Sequence, residues 1–141
     1  MSKRRRLTPN QRQMIYDKMN GHCAYCECKI SKQEMQVDHV FPLRKGGEDI
    51  LENMFPPCRS CNHYKSTLTV EQFKQMLEKI PHTLTRDSAS YRNAVRFGLI
   101  KPKAKKITFY FETIKSSNDM SSNMKKVQKR AGGTSYEQNE D

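Results

Sequence analysis

Two cysteine pairs limit the possible folds of this chain more than any other feature. The first pair is Cys23-Ala-Tyr-Cys26 and the second is Cys58-Arg-Ser-Cys61. Two thiolates separated by two residues can face one ion from a tight turn, and backbone amides can bond their sulfurs. A single zinc ion held by all four sulfurs would have no open position and would be structural. Two disulfides, or simply buried thiols, are the alternative interpretations.

A fifth cysteine complicates the choice of ligands. Cys26 and Cys28 form a second candidate pair, separated by one residue. Because the C-x-x-C spacing recurs at Cys58, we favour the C-x-x-C pairing and predict that Cys28 is an ordinary free thiol. No apolar run is long enough for a signal peptide or a membrane span. We therefore expect a reducing environment, in which such pairs bind metal rather than form disulfides.

Composition favours a small core and a polyanionic partner. Only 35% of the 141 residues are hydrophobic, and a core of that size often needs a metal or disulfides to be stable. The formal net charge is +11. A basic folded region attracts nucleic acid, although a basic surface can also serve solubility alone.

The sequence pattern predicts four parts. Residues 1–7 are a basic flexible arm, residues 8–67 contain both cysteine pairs, residues 68–114 are a helix–helix–strand extension, and residues 115–141 are polar and predicted to be disordered. The boundaries follow changes in composition and in hydrophobic periodicity.

Within residues 8–67 the expected order is helix, strand, strand, helix. Thr8-Pro9 is a typical helix start, and the apolar spacing predicts a helix over 9–19. Alternation predicts a strand over 35–41, with a short return strand at 54–55. A further helix is expected over about 61–67.

The extension is expected to begin with two helices, one reaching about residue 79, where Pro81 stops it, and one over 88–97. Residues 107–114 alternate aromatic or aliphatic side chains with polar ones, which predicts a strand.

Two side chains between the cysteine pairs and one just after the second pair offer catalytic chemistry. Asp38 and Asn62 carry oxygen donors of the type that Mg²⁺ accepts. His39 directly follows Asp38, and neighbouring side chains of a strand point to opposite faces, so a twist or a strand end is needed for them to share a site. A structural histidine and a solvated carboxylate are the alternative interpretations.

The order of these motifs resembles the HNH endonuclease family, in its zinc-stapled branch. The motifs are C-x-x-C, V-D-H-V-x-P, G-G, L-x-N and C-x-x-C-N-x-x-K, and together they cover residues 23–66. The resemblance implies an α+β fold, namely a small ββα-metal module stapled by a zinc site of four cysteines, Cys23, Cys26, Cys58 and Cys61.

The resemblance also implies roles for individual residues. His39 is expected to be the general base, and Asp38 the ligand of a catalytic divalent ion such as Mg²⁺ or Mn²⁺. Asn53 is expected to hold the loop that orients the base. Asn62 is expected to be the second ligand of that ion, which makes this an H-N-N variant; in another register, His63 would take its place.

The implied activity is hydrolysis of DNA phosphodiester bonds, leaving 5′-phosphate and 3′-hydroxyl ends. Candidate phosphate contacts are Arg44, Lys45, Arg59 and Lys65. RNA remains an alternative substrate, and a non-catalytic zinc module that binds nucleic acid remains an alternative function. The expected setting is the cytoplasm of a bacterial or phage-infected cell, without a membrane, as a monomer or homodimer.

Overall fold

The computed structural model describes residues 5–114, in a mixed fold of short helices and one two-stranded sheet. Predictions for residues 1–4 of the arm and for the tail over 115–141 lie outside this range. The described residues form two compact units: 5–69 together with 109–114, and Val70–Thr108. The predicted α+β class is confirmed. Within 5–114, no helix combines the length and apolar character needed to cross a membrane.

Helix α1 spans Pro9–Asp17 and begins with a capping box. The Thr8 hydroxyl oxygen accepts the Gln11 backbone N–H at 3.2 Å, and the Thr8 N–H donates to the Gln11 side chain at 2.9 Å. The chain leaves the helix through Gly21, which has φ 77° and whose missing Cβ would lie 2.9 Å from the Tyr16 hydroxyl. The helix predicted over 9–19 is confirmed, with an earlier end.

Strands β1, Asp38–His39, and β2, Met54–Phe55, pair in antiparallel register. Asp38 lies opposite Phe55 and His39 opposite Met54. The strand predicted over 35–41 shortens to two residues. Gln36 still donates to the Pro57 carbonyl at 3.3 Å, in the same register, but Pro56 and Pro57 have no N–H with which to continue the ladder. The connecting loop contains two 3₁₀ turns, Leu43–Lys45 and Leu51–Asn53.

Helix α2 spans Arg59–Lys65 and follows β2 closely. Cys58 is its N-cap, with a sulfur that accepts the Cys61 N–H at 3.4 Å. The helix ends because Ser66 adopts a positive φ of 50°. It therefore begins and ends two residues before the predicted 61–67, and hairpin plus helix form the ββα module.

The segment over 109–114 returns to the first unit, and the strand predicted for 107–114 is wrong. Tyr110–Thr113 form a one-turn helix, α6, whose first turn is closed by the Glu112 carboxylate accepting the Phe109 N–H at 2.7 Å. Among the described residues, the Tyr110 and Phe111 N–H groups donate to the carbonyls of residues 25 and 24. Two such bonds are too few to form a strand ladder. The alternation instead places Phe109 and Phe111 in the core, each 2% exposed.

The second unit contains helices α3, Val70–Glu78, α4, Ile80–Asp87, and α5, Ala89–Arg96. The helix predicted to reach about residue 79 and the helix predicted over 88–97 are confirmed. Helix α4 was missed, since Pro81 does not end the helical path but sits in the first turn of a new helix, where its lack of an N–H costs nothing.

Candidate active site and metal centre

The first cysteine pair lies on a tight hairpin that also brings in Cys28. The Cys23 N–H donates to the Cys28 carbonyl at 2.8 Å, and Glu27 makes the turn with φ 70°. The Ala24 N–H donates to the Pro56 carbonyl at 2.9 Å, which places this hairpin beside the segment that leads into Cys58. The two cysteine pairs therefore meet.

The sulfur positions fit a tetrahedral metal site. The ligand atoms of Cys23, Cys26, Cys28 and Cys58 all lie within 4.8 Å of one another, and the Cys26 and Cys58 sulfurs are 3.8 Å apart. Zinc–sulfur bonds of about 2.3 Å in a tetrahedron separate the sulfurs by about 3.8 Å. A disulfide requires about 2.05 Å, and all five thiols are free. The donor set therefore suits zinc better than disulfides.

This group of four close sulfurs includes Cys28, which the sequence analysis predicted to be a free thiol, and does not include the predicted ligand Cys61. A hydrogen bond from the Cys61 thiol is the main reason that the pKa of Cys23 is lowered to about 4, while the same bond raises the pKa of Cys61. The two pKa shifts have one main cause, the hydrogen bond between these two side chains. A bound cation would displace such protons, because thiolates are the form that ligates metal.

Five sulfurs are thus candidates for four tetrahedral positions. Substitution of Cys28 and of Cys61, one at a time, tests which of these two residues is a zinc ligand. We expect Cys61→Ser to lower zinc affinity more than about 100-fold, since changes around the ligands alone cost about 10–100-fold. Cys28→Ser should retain one zinc per chain. Zinc content by mass spectrometry and competition with a chromogenic chelator measure both. The reverse ranking would make Cys28 the fourth ligand.

His39 is held by a carboxylate that the sequence analysis did not single out. Its Nε2 lies 2.8 Å from Asp49 Oδ1, and the two side chains are 7% and 30% exposed. The other Asp49 oxygen accepts the Arg5 backbone N–H at 3.3 Å. His39 Nδ1 makes no hydrogen bond within residues 5–114 and is not sealed from solvent. The only sequence signal for Asp49 was its place just after Gly46-Gly47.

Asp38 is bonded through one oxygen only. Its Oδ2 accepts the Tyr25 hydroxyl at 2.6 Å and lies 2.9 Å from the Lys65 ammonium. Oδ1 has no hydrogen-bond partner in the described part of the chain and is not enclosed. Burial raises the pKa of Tyr25, and the Asp38 charge raises it further. The Tyr25 hydroxyl therefore stays protonated and donates to the carboxylate.

Lys65 lies inside the site rather than on its surface. Its side chain is 0% exposed, and its ammonium also donates to the His39 carbonyl at 3.3 Å. Burial lowers the pKa of Lys65, and the Asp38 carboxylate partly offsets that effect. In this arrangement Lys65 has no exposed surface with which to contact a phosphate.

Helix α2 presents one face to Asp38. Asn62 and Lys65 are three residues apart and therefore neighbours on that face. Asn62 is half-buried, and its side-chain amide makes no hydrogen bond within residues 5–114. His63 is exposed and lies one position further round the helix, away from the face that reaches Asp38.

Asn53 fastens the loop that carries Asp49. Its side-chain oxygen accepts the Phe41 N–H at 2.9 Å, and its amide donates to the Phe41 and Glu48 carbonyls at 3.0 and 2.9 Å. Gly47 packs so closely that a Cβ there would lie 2.0 Å from the Phe41 carbonyl oxygen. The three hydrogen bonds and this close approach fix the path of the loop.

The three other predicted phosphate contacts are nearer the surface. Arg44 and Lys45 lie in the first 3₁₀ turn, and Arg59 opens helix α2. All three are exposed. Burial is the main cause of the lowered pKa of Lys65, and the charge of Lys45 lowers it further.

Comparison with known proteins identifies the module. Residues 23–78 match the family described as HNH endonuclease. The hairpin, helix and cysteine cluster thus define a ββα-metal module, and this segment belongs to the HNH endonuclease family. The resemblance drawn from the motifs is confirmed, and the family supports a nuclease that acts on nucleic acid.

One solved structure with a similar backbone is the crystal structure of the Type II-C Cas9 enzyme from Actinomyces naeslundii. The match has a TM-score of 0.48 and 22% sequence identity, and it covers 92% of this chain but 12% of that enzyme. A likeness at this level does not transfer the function of that enzyme. No curated protein sequence matches the chain.

Proposed function

We propose that this protein is a divalent-metal-dependent DNA endonuclease with His39 as its general base. The observation that supports the proposal best is the pairing of His39 Nε2 with Asp49 at 2.8 Å, which leaves Nδ1 as the ring nitrogen without a hydrogen bond within residues 5–114. A buried histidine with a structural role alone would not need one ring nitrogen held by a carboxylate and the other left accessible.

The hydrogen bond to Asp49 selects the useful tautomer of the imidazole. In neutral His39, Nε2–H donates to Asp49 and Nδ1 carries the lone pair. Nδ1 then takes a proton from the attacking water, and the Asp49 carboxylate stabilises the imidazolium that forms. Asn53 acts indirectly. It fixes the loop that carries Asp49, and Asp49 holds the His39 ring.

Asp38 Oδ1 and the Asn62 side-chain oxygen are the proposed ligands of the catalytic ion. Mg²⁺ and Mn²⁺ accept such oxygen donors and retain several waters. When bound, the ion supplies Lewis-acid stabilisation of charge on the phosphorane and on the leaving 3′ oxygen. Asn62 is preferred to His63 because it shares a helix face with Lys65, which reaches Asp38.

Lys65 is better described as a positioning residue than as a phosphate contact. Together with Tyr25 it holds Asp38 Oδ2, so that the carboxylate presents its other oxygen. Arg44, Lys45 and Arg59 remain the proposed phosphate contacts, since their charged groups reach the surface around the site. The proposed products carry 5′-phosphate and 3′-hydroxyl ends.

A plasmid assay tests the proposal. Zinc-loaded protein should convert supercoiled plasmid to nicked or linear forms with added Mg²⁺ or Mn²⁺, and should leave it intact without them. Omitting the ion is a cleaner control than EDTA, which can also remove structural zinc. Intact plasmid under every metal would favour the rival function, a non-catalytic zinc module that binds nucleic acid. A parallel RNA substrate separates the two nucleic acids.

Asp49→Ala should lower kcat about 10–100-fold with little change in KM, because the imidazole loses its orienting acceptor but no substrate contact is removed. Asp49→Asn should recover part of the loss, since an amide oxygen still accepts Nε2–H. Glu48→Gln, the neighbouring acid, is the matched control and should cut normally. Equal rates for all three variants would remove Asp49 from this role.

The proposed location is the cytoplasm of a bacterial or phage-infected cell. The proposed oligomeric state is a monomer or homodimer.

A further inference from the structure

A basic cleft of about 460 Å³ lies beside His39 in the first unit. It falls within the roughly 300–1,000 Å³ typical of ligand sites. The lining residues are Arg5, Arg6, Leu7, Arg12, Gln33, Met35, Gln36, Val37, His39 and Met54. Three arginines and no acidic residue belong to this lining, so the cleft favours an anionic ligand.

The arm over residues 5–7, which forms one side of the cleft, is attached by its backbone and not by its charges. The Arg5 N–H donates to Asp49 at 3.3 Å. The guanidinium groups of Arg5 and Arg6 are exposed and make no hydrogen bond or ion pair with any other residue in 5–114. The positive charges are thus held at the cleft without being neutralised there.

Arg12 completes the cleft from helix α1. Its guanidinium donates to the Met35 carbonyl at 3.2 Å, and the side chain is half-buried. A guanidinium has five N–H donors, and this bond occupies one. Arg12 is therefore a fixed charge in the cleft, whereas the guanidinium groups of Arg5 and Arg6 are held only through their backbone.

We propose that this cleft binds the phosphodiester backbone of the nucleic-acid strand that continues away from the phosphate at His39. The assignment rests on the proposed function for the phosphate that is cut, and it adds a second binding surface to Arg44, Lys45 and Arg59. Guanidinium groups bond phosphate oxygens in a fork geometry. Such contacts position a strand without reading its bases. The Asp49 carboxylate then connects the cleft to the base, because it bonds both the arm and His39.

The test is the salt dependence of DNA binding, measured by fluorescence anisotropy with zinc-loaded protein and no added divalent ion. Each phosphate contact contributes about 0.9 to the slope of log K against log salt on duplex DNA. Arg5→Gln with Arg6→Gln should therefore lower the slope by about 1.8. Arg5→Lys with Arg6→Lys should restore most of it, since lysine keeps the charge. Lys103→Gln with Lys105→Gln removes the same charge from exposed positions in the second unit and should leave the slope unchanged.

The outcomes separate the two proposals. An unchanged slope in the Arg5/Arg6 glutamine variant, or an equal loss in the Lys103/Lys105 control, would overturn the cleft assignment even if the unsubstituted protein cuts plasmid. A reduced slope confined to the Arg5/Arg6 variant would support the cleft even if no cleavage is found. Unchanged zinc content and thermal unfolding would show that the variants are folded.

Discussion

Replacement of His39 by alanine should abolish DNA cleavage, with a loss of at least about 10³-fold in kcat. General-base catalysis typically contributes about 10²–10⁴-fold, and His39 is the histidine whose Nε2 the Asp49 carboxylate holds at 2.8 Å. Zinc content should not change, because the cysteine cluster does not include this side chain. DNA affinity should change little, since the main phosphate contacts are arginine and lysine. Initial rates on supercoiled plasmid, with binding measured in parallel, give these quantities.

His63→Ala is the matched control for this experiment. His63 is an exposed histidine beside the proposed ligand Asn62, and its loss should leave the rate within about 2-fold of the unsubstituted protein, as for surface substitutions in general. Full activity in His39→Ala would remove that residue from catalysis. Inactivity of His63→Ala would instead support the register in which His63 ligates the ion.

Removal of zinc should unfold the first unit. Structural zinc sites contribute about 10–16 kcal/mol in zinc-finger peptides, whereas whole domains are stable by about 5–15 kcal/mol. The core of this unit is small, and its two strands have two residues each. The free energy lost with the ion should therefore be larger than the free energy of unfolding of this unit. The backbone amide resonances of the residues around the cysteine cluster should collapse on treatment with a strong zinc chelator.

Two controls make the zinc experiment specific. Stoichiometric Zn²⁺ should restore the dispersed spectrum, and excess Mg²⁺ should not, because a cluster of thiolates does not bind a hard cation well. Cys58→Ser should reproduce the unfolded spectrum at ordinary zinc concentrations. A metal-free protein with unchanged resonances and unchanged thermal unfolding would show that the ion has no structural role.

The sequence was sufficient for the parts of the fold that depend on local chemistry. The capping residues around Pro9 determine where α1 begins, and the Cys58 sulfur caps α2, although that helix begins two residues before its predicted start. It failed where tertiary contacts decide. Alternation over 107–114 predicted a strand, but the Glu112 carboxylate closes a helical turn there while the same alternate side chains are buried.

The sequence also predicted only part of the candidate site. The motifs located Asp38, His39 and Asn53 in sequence, but not the partners that fix their orientation. Asp49 and Tyr25 reach the site through the fold of the loop and of the cysteine hairpin, and neither contact has a fixed sequence spacing. Whether Cys28 or Cys61 completes the metal site likewise depends on how a turn closes, which spacing alone does not encode.

The contact between Tyr25 and the aromatic residues of the segment over 109–114 determines how short this module can be made. Phe109 and Phe111 pack edge-on against the Tyr25 ring with centroids 5.0 and 6.1 Å away, and the same ring bonds Asp38 through its hydroxyl. A segment trimmed to the signature motifs would therefore keep the proposed metal ligands but lose the aromatic contacts that support Tyr25, the residue that bonds Asp38. Grafting this module onto another protein requires carrying the distant aromatic segment with it.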